Sequence, residues 1–165
     1  MSELIMPTVE VAFSRSHLPF SYGIRLITSP PGVWMAEWSH CAPILPSGRI
    51  IEASALRGGV HQDTLDNFKH RATDWAVAEF ACMNPDAFYR FLLSQEGKRY
   101  DYTALLGFIM HDRDFQLDTD WFCSELGETA FIEGETPHFD PNVKSFVSPE
   151  ELWSKRIRVL SENAA

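Results

Sequence analysis

Two short stretches of this 165-residue chain carry residue types suited to acyl transfer. The first is Trp121-Phe122-Cys123-Ser124-Glu125-Leu126, which reads as the start of a helix. A helix N-terminus presents unpaired amides and a partial positive charge. Both favour a thiolate over a thiol, and the same amides can hold the oxyanion that forms when sulfur attacks a carbonyl. The stretch equally fits a buried cysteine packed beside Trp121 and Phe122, because free cysteine is among the most buried residue types.

A thiolate nucleophile needs a base close in space rather than in sequence. Six histidines are available: His17, His40, His61, His70, His111 and His138. His40 stands out because it opens an apolar run, and a turn at Pro46-Ser47-Gly48 then brings Glu52 back beside it. The offset between the two is even, so a regular hairpin puts both side chains on one face. A carboxylate there orients the imidazole and favours its protonated form, as the third member of a catalytic triad does.

Other chemistries find less support. His40 and Cys41 are adjacent, but Cys82 and Cys123 are distant and no Cys-x-x-Cys or His-x-x-x-His pair exists, so no structural zinc site is expected. Neither phosphate-binding glycine pattern is present, and Gly58-Gly59 alone is too short to suggest one. No cofactor and no metal are expected.

The composition sets the frame. A chain of 165 residues with 45% hydrophobic residues suits one globular domain spanning 1–165 rather than a disordered tract. The net charge of −9 argues against nucleic acid or an anionic membrane as partner, since both want positive fields. Three cysteines make an odd number, too few for a disulfide framework. Met1 to Ala12 lacks a basic leader followed by an apolar run, and no uninterrupted apolar stretch is long enough for a membrane span. A cytoplasmic protein is the expectation, and its oligomeric state is open.

The elements that must position these residues are mixed. Val9 to Phe13 and Asp74 to Ala81 alternate as strands, and Leu18 to Thr28 reads as a helix or an irregular segment. His40 to Leu45 and Arg49 to Ala53 form a hairpin, with Pro43 suggesting an edge strand or a bulge. Gly58-Gly59-Val60 opens another extended piece, and Asp63 is a candidate cap for a short helix ending near His70. Asn84-Pro85-Asp86 starts a helix and Gly97 follows its end. Further helices are expected over Asp101–Met110 and Cys123–Phe131, separated by a charged loop from His111 to Asp120. Ser148-Pro149-Glu150-Glu151 fits a capping box, and Arg156 to Leu160 alternates as a last strand. The sum is an α+β fold, with a small antiparallel sheet or barrel packed against helices.

Five segments resemble one known pattern, the circularly permuted branch of the NlpC-type cysteine peptidases, whose fold is papain-like. Trp38-Ser39-His40 with Pro46 to Ala53 is similar to that family's histidine strand, turn and second polar residue. Gly58-Gly59-Val60 resembles the piece that follows, and Gly97-Lys98-Arg99-Tyr100-Asp101 the Gly-x-x-Tyr-Asp motif. Phe122-Cys123-Ser124-Glu125-Leu126 is similar to the nucleophile motif, and Ser148-Pro149-Glu150-Glu151-Leu152 to a late Ser/Thr-Pro-x-x-Leu element.

This resemblance implies Cys123 as nucleophile, His40 as base, Glu52 as orienting residue and Tyr100 near the oxyanion. It implies a bacterial or phage amidase or thiol peptidase that cleaves a small peptide or amide/acyl substrate through a thioester, as in peptidoglycan peptides. Two departures accompany it: Cys41-Ala42-Pro43 stands where an aliphatic strand is usual, and Gly127 follows Leu126. The rival expectations are a lipid acyltransferase or thioesterase using the same pair, a non-catalytic interaction protein, and a zinc module.

Overall fold

A computed structural model of the protein describes residues 6–101, 121–140 and 147–163. The expected helix over Asp101–Met110 and the charged loop from His111 to Asp120 lie, but for Asp101, outside the described residues.

Six antiparallel strands form one open sheet. They are β1 (Thr8–Arg15), β2 (His40–Ile44), β3 (Arg49–Ser54), β4 (Gly59–Thr64), β5 (Asp74–Ala81) and β6 (Arg158–Glu162), in the spatial order β4-β3-β2-β1-β5-β6. Among the described residues the sheet ends at β4 and β6 and does not close into a barrel. Helices α1 (Pro19–Ile27), α2 (Leu65–Arg71), α3 (Pro85–Ser94), α4 (Cys123–Glu133) and α5 (Pro149–Trp153) complete the described chain.

Strand alternation divides the core between the two faces of the sheet. Val11, Phe13, Cys41, Ile51, Ala53, Ala78 and Phe80 join one cluster with Phe88, Leu92, Leu126, Phe131 and Leu152 from α3, α4 and α5. Ala12, Ala42, Ile44, Ile50 and Val77 join a smaller cluster with Phe68 of α2. The larger cluster is rich in rings: Phe13 packs against Trp38, Phe80 and Trp153, with centroids 6.2, 6.0 and 5.0 Å away.

Local chemistry explains most element boundaries. Asn84 Oδ1 accepts from the Ala87 N–H at 3.1 Å with Pro85 behind it, so α3 begins where the sequence reading placed it. The expected capping box at Ser148 is present: Ser148 Oγ accepts from the Glu151 N–H at 3.1 Å, and Glu151 accepts from the Ser148 N–H at 2.8 Å. The expected cap of α2 is different. Thr64, not Asp63, accepts from the Asn67 N–H, while Asp63 takes hydrogen bonds from the Thr64 N–H and the Asn67 side chain and an ion pair with Arg57.

Pro43 also differs from expectation, since β2 lies inside the sheet. It pairs fully with β1, where Pro43 sits opposite Val11, but with β3 its only register pair is Ile44↔Ile50. A shortened ladder tolerates a residue that lacks a donor.

The segment carrying Tyr100 is held by close backbone approach. Val60 N–H donates to the Lys98 carbonyl at 2.8 Å, Gly97 N–H to Val60 at 2.9 Å and Tyr100 N–H to Gly58 at 3.1 Å. A Cβ on Gly59 would collide with the Lys98 carbonyl oxygen, a backbone atom that cannot rotate away. Gly59→Ala is therefore expected to destabilise by about 1–3 kcal/mol, a drop of roughly 2–12 °C in Tm. Thermal unfolding followed by circular dichroism measures it, and an unchanged Tm would contradict the close approach.

Candidate active site

Glu52 is the centre of the site. It sits on β3 with its side chain fully buried, and a buried carboxylate must be compensated. His40 Nε2 lies 2.5 Å from Glu52 Oε2, and Arg71 at the end of α2 donates to Oε1 at 2.7 Å. Burial opposes ionisation, but the hydrogen bonds and charges of His40 and Arg71 outweigh it and hold the Glu52 carboxyl down at about 2. The even offset along the hairpin thus does bring His40 and Glu52 to one face.

Several contacts place the first residue of β2. Glu150, at the start of α5, accepts from the Glu37 and Trp38 N–H groups at 2.7 and 3.1 Å. Ser39 N–H donates to the Ser14 carbonyl at 3.1 Å, and Ser39 Oγ lies 2.7 Å from Ser21 Oγ of α1. On its free side the His40 ring stacks on Phe68, centroids 5.8 Å apart. With Nε2 committed to Glu52, Nδ1 is the nitrogen left for a further partner.

Cys123, the first residue of α4, lines the same cavity as His40, and its charge raises the imidazole. The helix start is fixed by Glu125, which accepts from the Phe122 N–H at 3.4 Å, and by Ser124, whose hydroxyl donates to the Val147 carbonyl at 2.5 Å. Burial alone would push the Cys123 thiol up. Hydrogen bonding from the Cys41 thiol, the charge and hydrogen bond of His40, and the Cys41 backbone N–H outweigh it and hold the thiol well below its ordinary range. Burial likewise disfavours a charged His40, yet the Cys123 thiolate and then Glu52 push the imidazole up to about 10. Cys41 goes the other way: burial, followed by the neighbouring Cys123 and Glu52 charges, keeps it a thiol. These shifts favour a thiolate–imidazolium pair backed by a carboxylate.

The pair opens onto a cavity of about 290 Å³. Its walls come from α1 (Leu18, Phe20, Ile24), from β3 and the turn after it (Ala53, Ala55, Leu56), from α2 and its end (Phe68, Arg71, Ala72), and from Tyr100. The lining is mainly apolar, and Cys123 and His40 are both part of it. Tyr100 is 3% exposed and its ring lies 6.0 Å from that of Phe122.

Of the four residues singled out in the sequence, His40 is held by Glu52, and His40, Cys123 and Tyr100 line one cavity. Two others were missed. Arg71 is separated from Glu52 by a strand and a helix, and a cation at a helix C-terminus carries no motif. Cys41 was set aside as a neighbour of the base.

One set of residues has metal-ligand character. Glu52, His61 and Asp63 offer ligand atoms within 4.8 Å of one another. His61 Nδ1 lies 3.2 Å from the Gly59 carbonyl, and its Nε2 3.2 Å from Glu52 Oε1. However, the Arg71 guanidinium already stands 2.7 Å from Glu52 and 3.4 Å from Asp63, and Arg57 pairs with Asp63 at 2.9 Å. These positive charges occupy the place a dication would need, so the set does not fit a metal centre.

No family model and no curated protein matches the chain. Among solved structures it is similar to the crystal structure of metalloprotein yiiX from Escherichia coli O157:H7, DUF1105, at 17% sequence identity and a TM-score of 0.53. The match covers 78% of this chain and 66% of that one, so the chain spans just under two thirds of that structure's length. At this identity the likeness concerns the fold alone. It overturns the resemblance to the circularly permuted NlpC-type peptidases, because the comparison leads to a DUF1105 protein and no family model supports the assignment. The physical reason is that the quoted motifs are short and serve local structure. Gly97 takes a φ of +86°, Ser148-Pro149-Glu150-Glu151 is a capping box, and Glu125 caps the start of α4.

The charge state makes a pH prediction. A lowered thiol pKa means the thiolate is present above that value and is lost only as pH falls through it, while His40 keeps its proton until pH approaches about 10. Alkylation of Cys123 by iodoacetamide is thus expected to show no rise through about pH 8.5, where an ordinary free thiol rises steeply. In His40→Ala the rise should reappear at or above the ordinary thiol range. A wild-type profile that already rises through 8.5 would contradict the ion pair.

Proposed function

We propose that the protein is a cysteine-dependent hydrolase that cleaves an amide bond in a small peptide or acyl substrate through a thioester intermediate. The observation that carries this reading is that Cys123 and His40 share the wall of an open cavity, with buried Glu52 held against His40. The Cys123 thiolate attacks the carbonyl carbon, and the first amides of α4 face the oxyanion. His40 passes its proton to the leaving nitrogen, then takes one from the water that hydrolyses the thioester. Glu52 holds the imidazole and stabilises its charge, and Arg71 keeps Glu52 ionised. Tyr100, in the same wall, is proposed to stand beside the oxyanion.

The apolar lining favours a second reading at the acyl side. A cavity of about 290 Å³ with this lining suits an apolar group of modest size, so an acyl ester or thioester is a competing substrate class. Among the described residues no helix is long and apolar enough to cross a membrane.

Peptide amides and p-nitrophenyl esters of increasing acyl length separate the readings. Turnover of amides supports the amidase; turnover confined to esters and thioesters supports the acyl hydrolase. His40→Ala should lower the rate by about 10²–10⁴-fold, and Cys123→Ala should abolish thioester formation seen by intact mass. A rapidly alkylated Cys123 with no turnover of either class would leave a non-catalytic interaction protein.

A further inference from the structure

We propose that Cys41 is the resolving thiol for Cys123, and that peroxide converts the two into a reversible disulfide that switches the site off. The inference rests on the reading of Cys123 as a thiolate nucleophile. Cys41 follows the base along β2, so alternation turns it to the opposite face of the strand, the face against which α4 packs. There it shares a buried cluster with Cys123, the first residue of that helix, and its thiol and backbone N–H are among the groups that hold the Cys123 thiol down. The two cysteines are free thiols.

Access orders the chemistry. Cys123 lines the cavity, whereas Cys41 is 0% exposed and does not. An oxidant entering the cavity meets Cys123 first, and Cys41 is reached only through it. Cys82, the remaining cysteine, is committed elsewhere, with its Sγ 3.8 Å from the Gly134 carbonyl.

The steps balance. The Cys123 thiolate attacks one oxygen of hydrogen peroxide and the O–O bond breaks, leaving a sulfenic acid and hydroxide, which takes the proton of the His40 imidazolium to become water. Cys41 sulfur then attacks the Cys123 sulfur. The S–S bond forms, the S–O bond breaks, and the departing hydroxide leaves as water with the Cys41 proton. Two electrons from the two sulfurs reduce one peroxide. Reduction by an external thiol restores the nucleophile, whereas further oxidation of an unresolved sulfenic acid does not reverse.

The test uses the whole chain. Reduced protein is first titrated with iodoacetamide, then a fresh sample is treated with stoichiometric hydrogen peroxide and mapped by peptide mass spectrometry. The expected result is loss of two hydrogens, a Cys41–Cys123 linked peptide, and full recovery of alkylation by dithiothreitol. Cys41→Ser, with Cys41→Ala as a second variant, should instead carry one oxygen on Cys123 after one equivalent, and with excess peroxide gain a second and fail to recover. Fast iodoacetamide reaction combined with oxygen addition and no linked peptide in the unsubstituted protein overturns the proposal while the thiolate reading stands. A Cys123 inert to iodoacetamide in the reduced protein overturns both.

Discussion

A single buried carboxylate organises this molecule. Glu52 is removed from water within the sheet, where an uncompensated charge is too costly to keep. Its two oxygens therefore dictate two neighbours: His40 on one and Arg71 on the other. The first demand fixes where β2 must begin, and the second fixes where α2 must end. Breaking such a buried arrangement by removing one partner costs about 3–5 kcal/mol, so the geometry of the candidate site and the stability of this half of the sheet rest on the same interaction.

The remaining requirement is to bring Cys123 to His40 from the far side of the sheet. His40 and Glu52 share the face occupied by Phe68 and α2, while α4 packs on the other face with Cys41. The two faces communicate at the start of β2, where the ladder to β3 is unpaired beyond Ile44↔Ile50. Pro43, which looks like a defect in a strand, belongs to that opening. Cys41 and His40, on opposite sides of one strand, can then both address the Cys123 sulfur. The thiolate gains a charge from one and hydrogen bonds from the other, and this outweighs the cost of its burial.

Much of the fold was legible because its boundaries obey local chemistry. The strand Asp74–Ala81 alternates, Asn84-Pro85-Asp86 caps a helix, and Ser148 with Glu151 forms its box, all within a few residues of sequence. The failures share a cause. Thr64 and Asp63 are both good caps, and the choice went to Thr64 because Asp63 is drawn toward Arg57 and Arg71. The barrel alternative failed because strand order is set by long-range pairing. The family resemblance failed because short motifs that satisfy turns and helix starts do not mark descent.

By itself, the sequence determined the candidates: a cysteine at a helix start, a histidine and a carboxylate at an even spacing across a tight turn. Helix capping and strand alternation are local, so neighbouring residues suffice to read them. Only the tertiary structure decided that these residues meet, that Arg71 completes the charge balance, and that Cys41 rather than Cys82 lies against the nucleophile. Those outcomes depend on which elements pack together and on the burial that makes each charge need a partner, and neither is encoded in spacing along the chain.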